Sequence, residues 1–219
     1  MDFNDTKSVM DSLALATSTP LINEAELKAC FRLRHDYFVR QRGWVAKEKC
    51  QNEEETDVYD PHAFHLSVSE NEAVTAYLRV LPFDPTVGFM LDHELSDVLC
   101  AEARIALPRD KAVELSRLVC RERNNFQEPQ NGRHPMEHLF KQFYHLSLRQ
   151  GFNRFYIVVE TSWLRLFARR FGLSFRVLGQ PHTFPDGTQT VAAVATLEEL
   201  EAGIRNHNPA KFQWYCEPL

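Results

Sequence analysis

Six charged residues stand where charge is costly: Arg34, Asp57, Asp60, Arg79, Glu114 and Arg117. An ionised side chain taken out of water costs on the order of several kcal/mol unless it is paired or put to use. The sharpest case is the stretch Val113-Glu114-Leu115-Ser116-Arg117-Leu118-Val119, whose apolar and β-branched flanks read as a buried strand. Glu114 and Arg117 are three apart, so a regular strand would point them to opposite faces. A β-bulge between them would bring both to one face and splay the strand from its neighbour, opening a cleft with an acid and a base at its mouth. The plain alternative is a strand end making surface ion pairs.

The other four follow the same logic. Leu27, Cys30, Phe31, Arg34 and Phe38 share one face at helical periodicity, so Arg34 sits inside an apolar stripe and needs an anion, a ligand or a route out along its stem. Arg79 lies in the apolar run Ala73–Leu81. Asp57 and Asp60 flank Tyr59 at the end of an acidic stretch, ahead of the strand Ala63–Ser67. Paired carboxylates at a strand mouth can hold a cationic group, or they can make turn hydrogen bonds. Three cations and three carboxylates could form a structural network, or they could hold a zwitterionic substrate, with carboxylates for its amine and arginines for its carboxylate.

The elements that must position these residues can be read in order. Residues 1–22 form a weakly patterned arm, and residues 23–219 read as one domain. Asn23 with Glu26 opens a helix expected to reach about Arg40, with Gly43 and Trp44 just beyond it. Two antiparallel strands, an irregular link and the central strand follow. After a loop over residues 121–134 come a helix from Pro135 to Arg149 and a strand from Phe155 to Val159. A helix from Trp163 to Phe171, capped by Thr161 or Ser162, is next. Strands at Phe175–Leu178 and Thr190–Ala195, joined by the turn Pro185-Asp186-Gly187, lead to a terminal helix boxed by Thr196 and Glu199. The result is an α/β (α+β) fold, a mixed sheet with helices on both faces.

Composition narrows the function. The 219 residues are 44% hydrophobic with net charge −5, which suits a packed core and argues against a wholesale nucleic-acid binder. Five cysteines without a CxxC pair suggest free thiols in a reducing compartment, and the start of the chain lacks a signal-peptide pattern. The expectation is a cytoplasmic monomer with no membrane span. Phosphate-cradling glycine motifs are absent, and the nine scattered histidines imply no metal site.

The series Arg34, Phe38, Trp44, Asp57-x-x-Asp60, Arg79 and Glu114-x-x-Arg117 resembles the signature of the LuxI-type acyl-homoserine lactone synthases, within the GNAT-like acyltransferase superfamily. Asp57-Val58-Tyr59-Asp60, Arg79-Val80-Leu81-Pro82, Glu114-Leu115-Ser116-Arg117 and Arg169-Arg170-Phe171-Gly172 carry the likeness, which covers about residues 27–200. It implies a mostly antiparallel sheet with splayed central strands. The implied reaction joins S-adenosylmethionine to an acyl group and releases methylthioadenosine, with no cofactor. Glu114 and Arg117 become the catalytic pair. Arg34, Phe38, Trp44, Asp57, Asp60 and Arg79 fall on the S-adenosylmethionine side, with backbone N–H groups freed at the bulge meeting the oxyanion.

The resemblance also implies that Val158 and Leu164 fall in the acyl pocket; some relatives carry Thr near the position of Val158, and the missing hydroxyl here points to an unsubstituted or branched chain. Coenzyme A users of the superfamily often carry a glycine-containing loop after the central strand. Here the text is Arg121-Glu122-Arg123-Asn124-Asn125-Phe126, which favours an acyl carrier protein as donor, acyl-CoA staying open. Three departures are a longer arm, Ala76 where relatives often have Gly, and a distinct link from Pro82 to Glu114. Rival readings are an N-acyl amino acid synthase, an exosortase-associated acyltransferase, and a non-catalytic module that binds a carrier protein or a lipid.

Overall fold

The structure is a computed structural model that describes residues 22–105, 107–121, 133–183 and 186–219. The arm through residue 21, residues 122–132 of the loop after the central strand, and Pro185 lie outside the described residues.

Helix α1 (Glu24–Arg34) starts where expected: the Asn23 side chain accepts the Glu26 N–H at 2.9 Å. Glu26 does not complete the box but accepts the Ser67 hydroxyl instead, at 2.5 Å. The α-helix also stops sooner than the stripe suggests. Its continuation, His35–Gln41, is a π-helical turn. Beyond Gly43, at φ +64°, the Trp44 N–H and Val45 N–H both return to the Phe38 carbonyl, at 2.9 and 3.3 Å. The wider turn and this return place Phe38 and Trp44 side by side, ring centroids 6.0 Å apart.

Strands β1 (Phe64–Glu70) and β2 (Ala73–Pro82) form the expected antiparallel pair, and short 3-10 turns at Met90–Asp92 and Ser96–Val98 precede α2 (Ala101–Ile105). The central strand β3 (Ala112–Cys120) pairs antiparallel with β2 and parallel with β4 (Arg154–Glu160). Helix α3 (Pro135–Gln150) begins on proline, where the missing N–H is no loss, and stops at Gly151 with φ +71°. Helix α4 (Thr161–Leu166) includes Thr161, so the cap position falls to Glu160, which makes no side-chain cap bond; a π-helical turn, Phe167–Phe171, extends it. Strands β5 (Arg176–Val177) and β6 (His182–Thr183) are two-residue edges on β7 (Gln189–Thr196); β6 was not foreseen. Thr196 and Glu199 form the anticipated box on α5 (Leu197–His207), and α6 (Pro209–Cys216) follows.

The sheet order is β1-β2-β3-β4-β7-β5, with β6 also on β7 and β3·β4 the parallel pair among described strands. One face buries Leu66, Leu78, Phe155 and Ala193 under α3, α5, α6 and the turn after α4. The other buries Tyr77 and Val119 under α1, and Leu81, Tyr156 and Val194 under the link after β2.

Candidate functional site

The expected bulge is present. Arg79 pairs with Ser116, and the register resumes only at Tyr77 with Val119, so Leu78 faces both Arg117 and Leu118. Arg117 absorbs the extra residue in the left-handed region, at φ +55°. The β3·β4 ladder ends at Leu115–Ile157, although both strands run on. Peptide groups beyond that pair therefore have no partner in this ladder, and the strands splay.

Arginines and carboxylates fill the face under α1. Arg34 is fully buried; its Nε donates to Glu55 at 2.6 Å, and its Nη atoms donate to Asp60 at 2.6 and 3.1 Å. Arg79, equally buried, donates to Ser116 Oγ at 2.9 Å, Asp57 at 2.5 Å and Asp60 at 2.9 Å. Arg117 donates to Glu55 at 3.1 Å and Asp57 at 3.0 Å, with its guanidinium carbon 5.4 Å from the centre of the Phe38 ring. Three cations thus meet three carboxylates in one charge-balanced network. Burial alone would raise the Asp60 carboxyl, but Arg34, followed by Arg79, holds it down to about 2. Glu55 is likewise lowered, burial being outweighed by Arg117 and Arg34.

Glu114 stands outside that network. It is 1% exposed; one carboxylate oxygen accepts the Leu91 N–H at 3.1 Å, and the other has no partner among the described residues. Burial pushes its pKa up to about 7, against the pull of the Leu91 N–H and Arg79. A carboxylate titrating there is suited to take a proton at neutral pH. The carboxylate that Arg117 meets is Glu55, not Glu114.

A cavity of about 550 Å³ occupies the splay and is lined from both faces of the sheet. Phe38, Trp44, Met90, Glu114 and Arg117 line it on the face covered by α1 and the link after β2; Phe143, Ile157, Phe167, Leu200 and Tyr215 line it on the other side. It therefore passes through the sheet. At the first mouth the Trp44 indole N–H donates to Asp186 at 2.6 Å. Arg42 lies 4.6 Å from the Trp44 ring centre and pairs with Glu160.

The sequence-derived residues divide between cavity and support. Glu114, Arg117, Phe38, Trp44 and Val158 line the cavity. Arg34, Asp57, Asp60 and Arg79 stand behind its wall. The Asp60 oxygens are taken by arginines and the Asp57 N–H at 2.7 Å, and Asp57 also accepts the Tyr59 N–H at 3.0 Å. The turn hydrogen bonds and the charged cluster are thus both present. Leu164 is not brought to the cavity; it packs against the core while its neighbour Trp163 takes the wall. Sequence reasoning missed Glu55, which looked like part of a solvated acidic run. The signal was arithmetic: three arginines in apolar elements call for three acids besides a free base.

Among the described residues no helix is long and apolar enough to cross a membrane, and no three His, Cys, Asp or Glu side chains are placed to hold a metal ion. A family model described as autoinducer synthase matches residues 18–202. Among solved structures, a CoA-dependent acyl-homoserine lactone synthase, BjaI, seen with MTA, is 25% identical, with a TM-score of 0.66 over 90% of this chain and 84% of that one. The acyl-homoserine lactone synthase LasI is 20% identical over 85% and 90% of the two chains, with a TM-score of 0.68. FeeM, an N-acyl amino acid synthase from uncultured soil microbes, is 14% identical over 85% and 99%, with a TM-score of 0.58. The latter two share the fold.

Proposed function

Because the chain belongs to the autoinducer synthase family of acyltransferases, which make acyl-homoserine lactones, we propose that its acceptor is S-adenosylmethionine and its donor an acyl thioester on acyl carrier protein. The supporting observation is the passage through the sheet, with a carboxylate of pKa about 7 in its wall.

The acceptor enters at the Phe38 and Trp44 end, where the two rings offer faces to an adenosyl group and a sulfonium. Glu114 removes a proton from the ammonium group, directly or through one water. The freed amine attacks the thioester carbonyl and the C–N bond forms; the thioester C–S bond breaks, and the proton shed by the nitrogen goes to the leaving thiolate. Backbone N–H groups past Leu115 and Ile157, unused by the ladder, face the gap where the oxyanion develops. The substrate carboxylate then attacks the carbon γ to its own carbonyl. The C–S bond breaks, its electrons pass to sulfur, and neutral methylthioadenosine departs as the lactone closes. Arg34, Asp57, Asp60 and Arg79 are positioning residues that hold the bulge from behind, while Arg117 anchors it and shapes the wall.

An acidic carrier suits the exposed Arg165 and Arg169, which lie beside the cavity-lining Trp163 and Phe167. The decisive experiment incubates purified protein with S-adenosylmethionine and parallel panels of acyl-carrier-protein and acyl-CoA donors, with mass spectrometry of products. Lactone and methylthioadenosine in equal amounts are expected, faster with carrier protein. Faster turnover with acyl-CoA would overturn the donor, and an acylated amine without lactone would overturn the acceptor.

A further inference from the structure

The family match ends at residue 202, yet the cavity does not. Leu200, Ile204 and Tyr215 line it on the α3 side of the sheet, and Tyr215 is carried by α6, which begins only at Pro209. We infer that Tyr215 is the end wall of the acyl pocket and sets the longest acyl chain this protein accepts. The inference rests on the acyl-transfer reading above and deepens it.

A residue can limit chain length only if the element bearing it is fixed, and α6 is tied down from several directions. Asn208 caps it by accepting the Lys211 N–H at 2.9 Å. Lys211 pairs with Glu137 of α3. His145 Nε2 lies 2.9 Å from both the Tyr215 and Glu217 carbonyls, and Lys141 Nζ donates to the Pro218 carbonyl at 3.0 Å. Arg133 and Lys141 stand over the Trp214 ring, 4.2 and 4.7 Å from its centre. The Tyr215 ring is therefore clamped, and at 2% exposure it has no room to swing outward.

Its hydroxyl has no hydrogen-bond partner among the described residues, so the ring is held by packing rather than by a bond. A longer acyl chain, reaching past the wall formed by Leu200 and Ile204, would strike that ring. Beside it, the Tyr144 hydroxyl donates to Glu201 at 2.9 Å and joins α3 to α5 in the same lining. A buried wall discriminates steeply, because one methylene too many in an apolar pocket is worth about 10- to 200-fold.

The test supplies wild type, Tyr215→Ala, Tyr215→Phe and Tyr144→Phe with straight-chain donors from butanoyl to tetradecanoyl, and reads the lactone products by mass spectrometry. Tyr215→Ala should raise turnover of donors two carbons beyond the wild-type limit by at least about tenfold relative to the preferred donor. Tyr215→Phe, which keeps the ring, should keep the cut-off. Tyr144→Phe removes only the hydrogen bond to Glu201 and keeps a ring in the lining, so it should leave the cut-off in place. Should Tyr215→Ala lack a cooperative melting transition, Tyr215→Leu takes its place and should relax the limit by a smaller step. An unchanged cut-off in a folded Ala or Leu variant would overturn the inference. Lactone from no donor, even with wild type, would instead overturn the proposed reaction.

Discussion

Replacing Glu114 by Gln should produce two linked effects with opposite signs. Burial raises this carboxyl from an ordinary value near 4.5 to about 7. Below pH 4.5 it is neutral in both folded and unfolded chains and has no effect on their balance. Between 4.5 and 7 the unfolded chain releases the proton while the folded chain keeps it, so stability falls as pH rises. Above 7 the full cost is in place, about 3 kcal/mol at roughly 1.4 kcal/mol per pH unit. Gln is neutral throughout, and its amide oxygen can still accept the Leu91 N–H. The variant should therefore gain about 3 kcal/mol on wild type between pH 4 and pH 8, measured by denaturant melts across that range. Activity should move the other way. Gln cannot take a proton, so turnover should drop by roughly 100-fold or more, and the wild-type rise in kcat/KM around pH 7 should vanish. A stability difference that does not change with pH, or a fully active variant, would refute the reasoning.

Three further outcomes follow from the same geometry. Arg34→Ala should cost about 3–5 kcal/mol in denaturant melts, because it strands Glu55 and Asp60 in the interior; Arg34→Lys should not restore the loss, since one ammonium cannot match the fork. Asp60→Asn should flatten the acid limb of stability: held at about 2 against an ordinary 3.8, this carboxylate contributes about 2 kcal/mol above pH 5 that disappears as pH falls through 2. Trp44→Phe removes the indole bond to Asp186 and weakens the contact with Arg42, and should raise the KM for S-adenosylmethionine by about tenfold; an unchanged KM would remove Trp44 from the acceptor site.

The bulge was legible because Glu114 and Arg117 stand three apart in an apolar strand, an arrangement that regular alternation cannot serve. Helix ends were legible where a side chain bonds the backbone nearby, as at Asn23 and at Thr196 with Glu199. What escaped depends on distant partners. The π-helical turn His35–Gln41 has no local sequence mark; its Arg42 meets Glu160, far along the chain. Glu55 looks like its acidic neighbours until Arg34 and Arg117 close on it. Leu164 and Trp163 are adjacent on one helix, and only the packing of α4 decides which one reaches the cavity. The contribution of α6 is the extreme case, because Tyr215 joins a wall built mainly by residues far earlier in the chain.

Arg117 ties these levels together, and two substitutions separate its roles. A side chain other than glycine in the left-handed region costs about 1–2 kcal/mol, so the bulge persists only because something holds it. The holding groups are Glu55 and Asp57, which accept from the guanidinium, and Phe38, beneath it. Arg117→Ala loses that anchor and keeps the backbone cost. Arg117→Gly loses the same anchor but suits the positive φ. If the anchor keeps the strands splayed, both variants should lose most activity, while Gly should be about 1 kcal/mol more stable than Ala. Glu55 retains Arg34 in both, so each should fold and the comparison can be made on soluble protein. Melting and turnover measured on the same preparations decide it. An active Gly variant would mean that the bulge needs only its backbone geometry, and that the guanidinium has no part in keeping the cleft open.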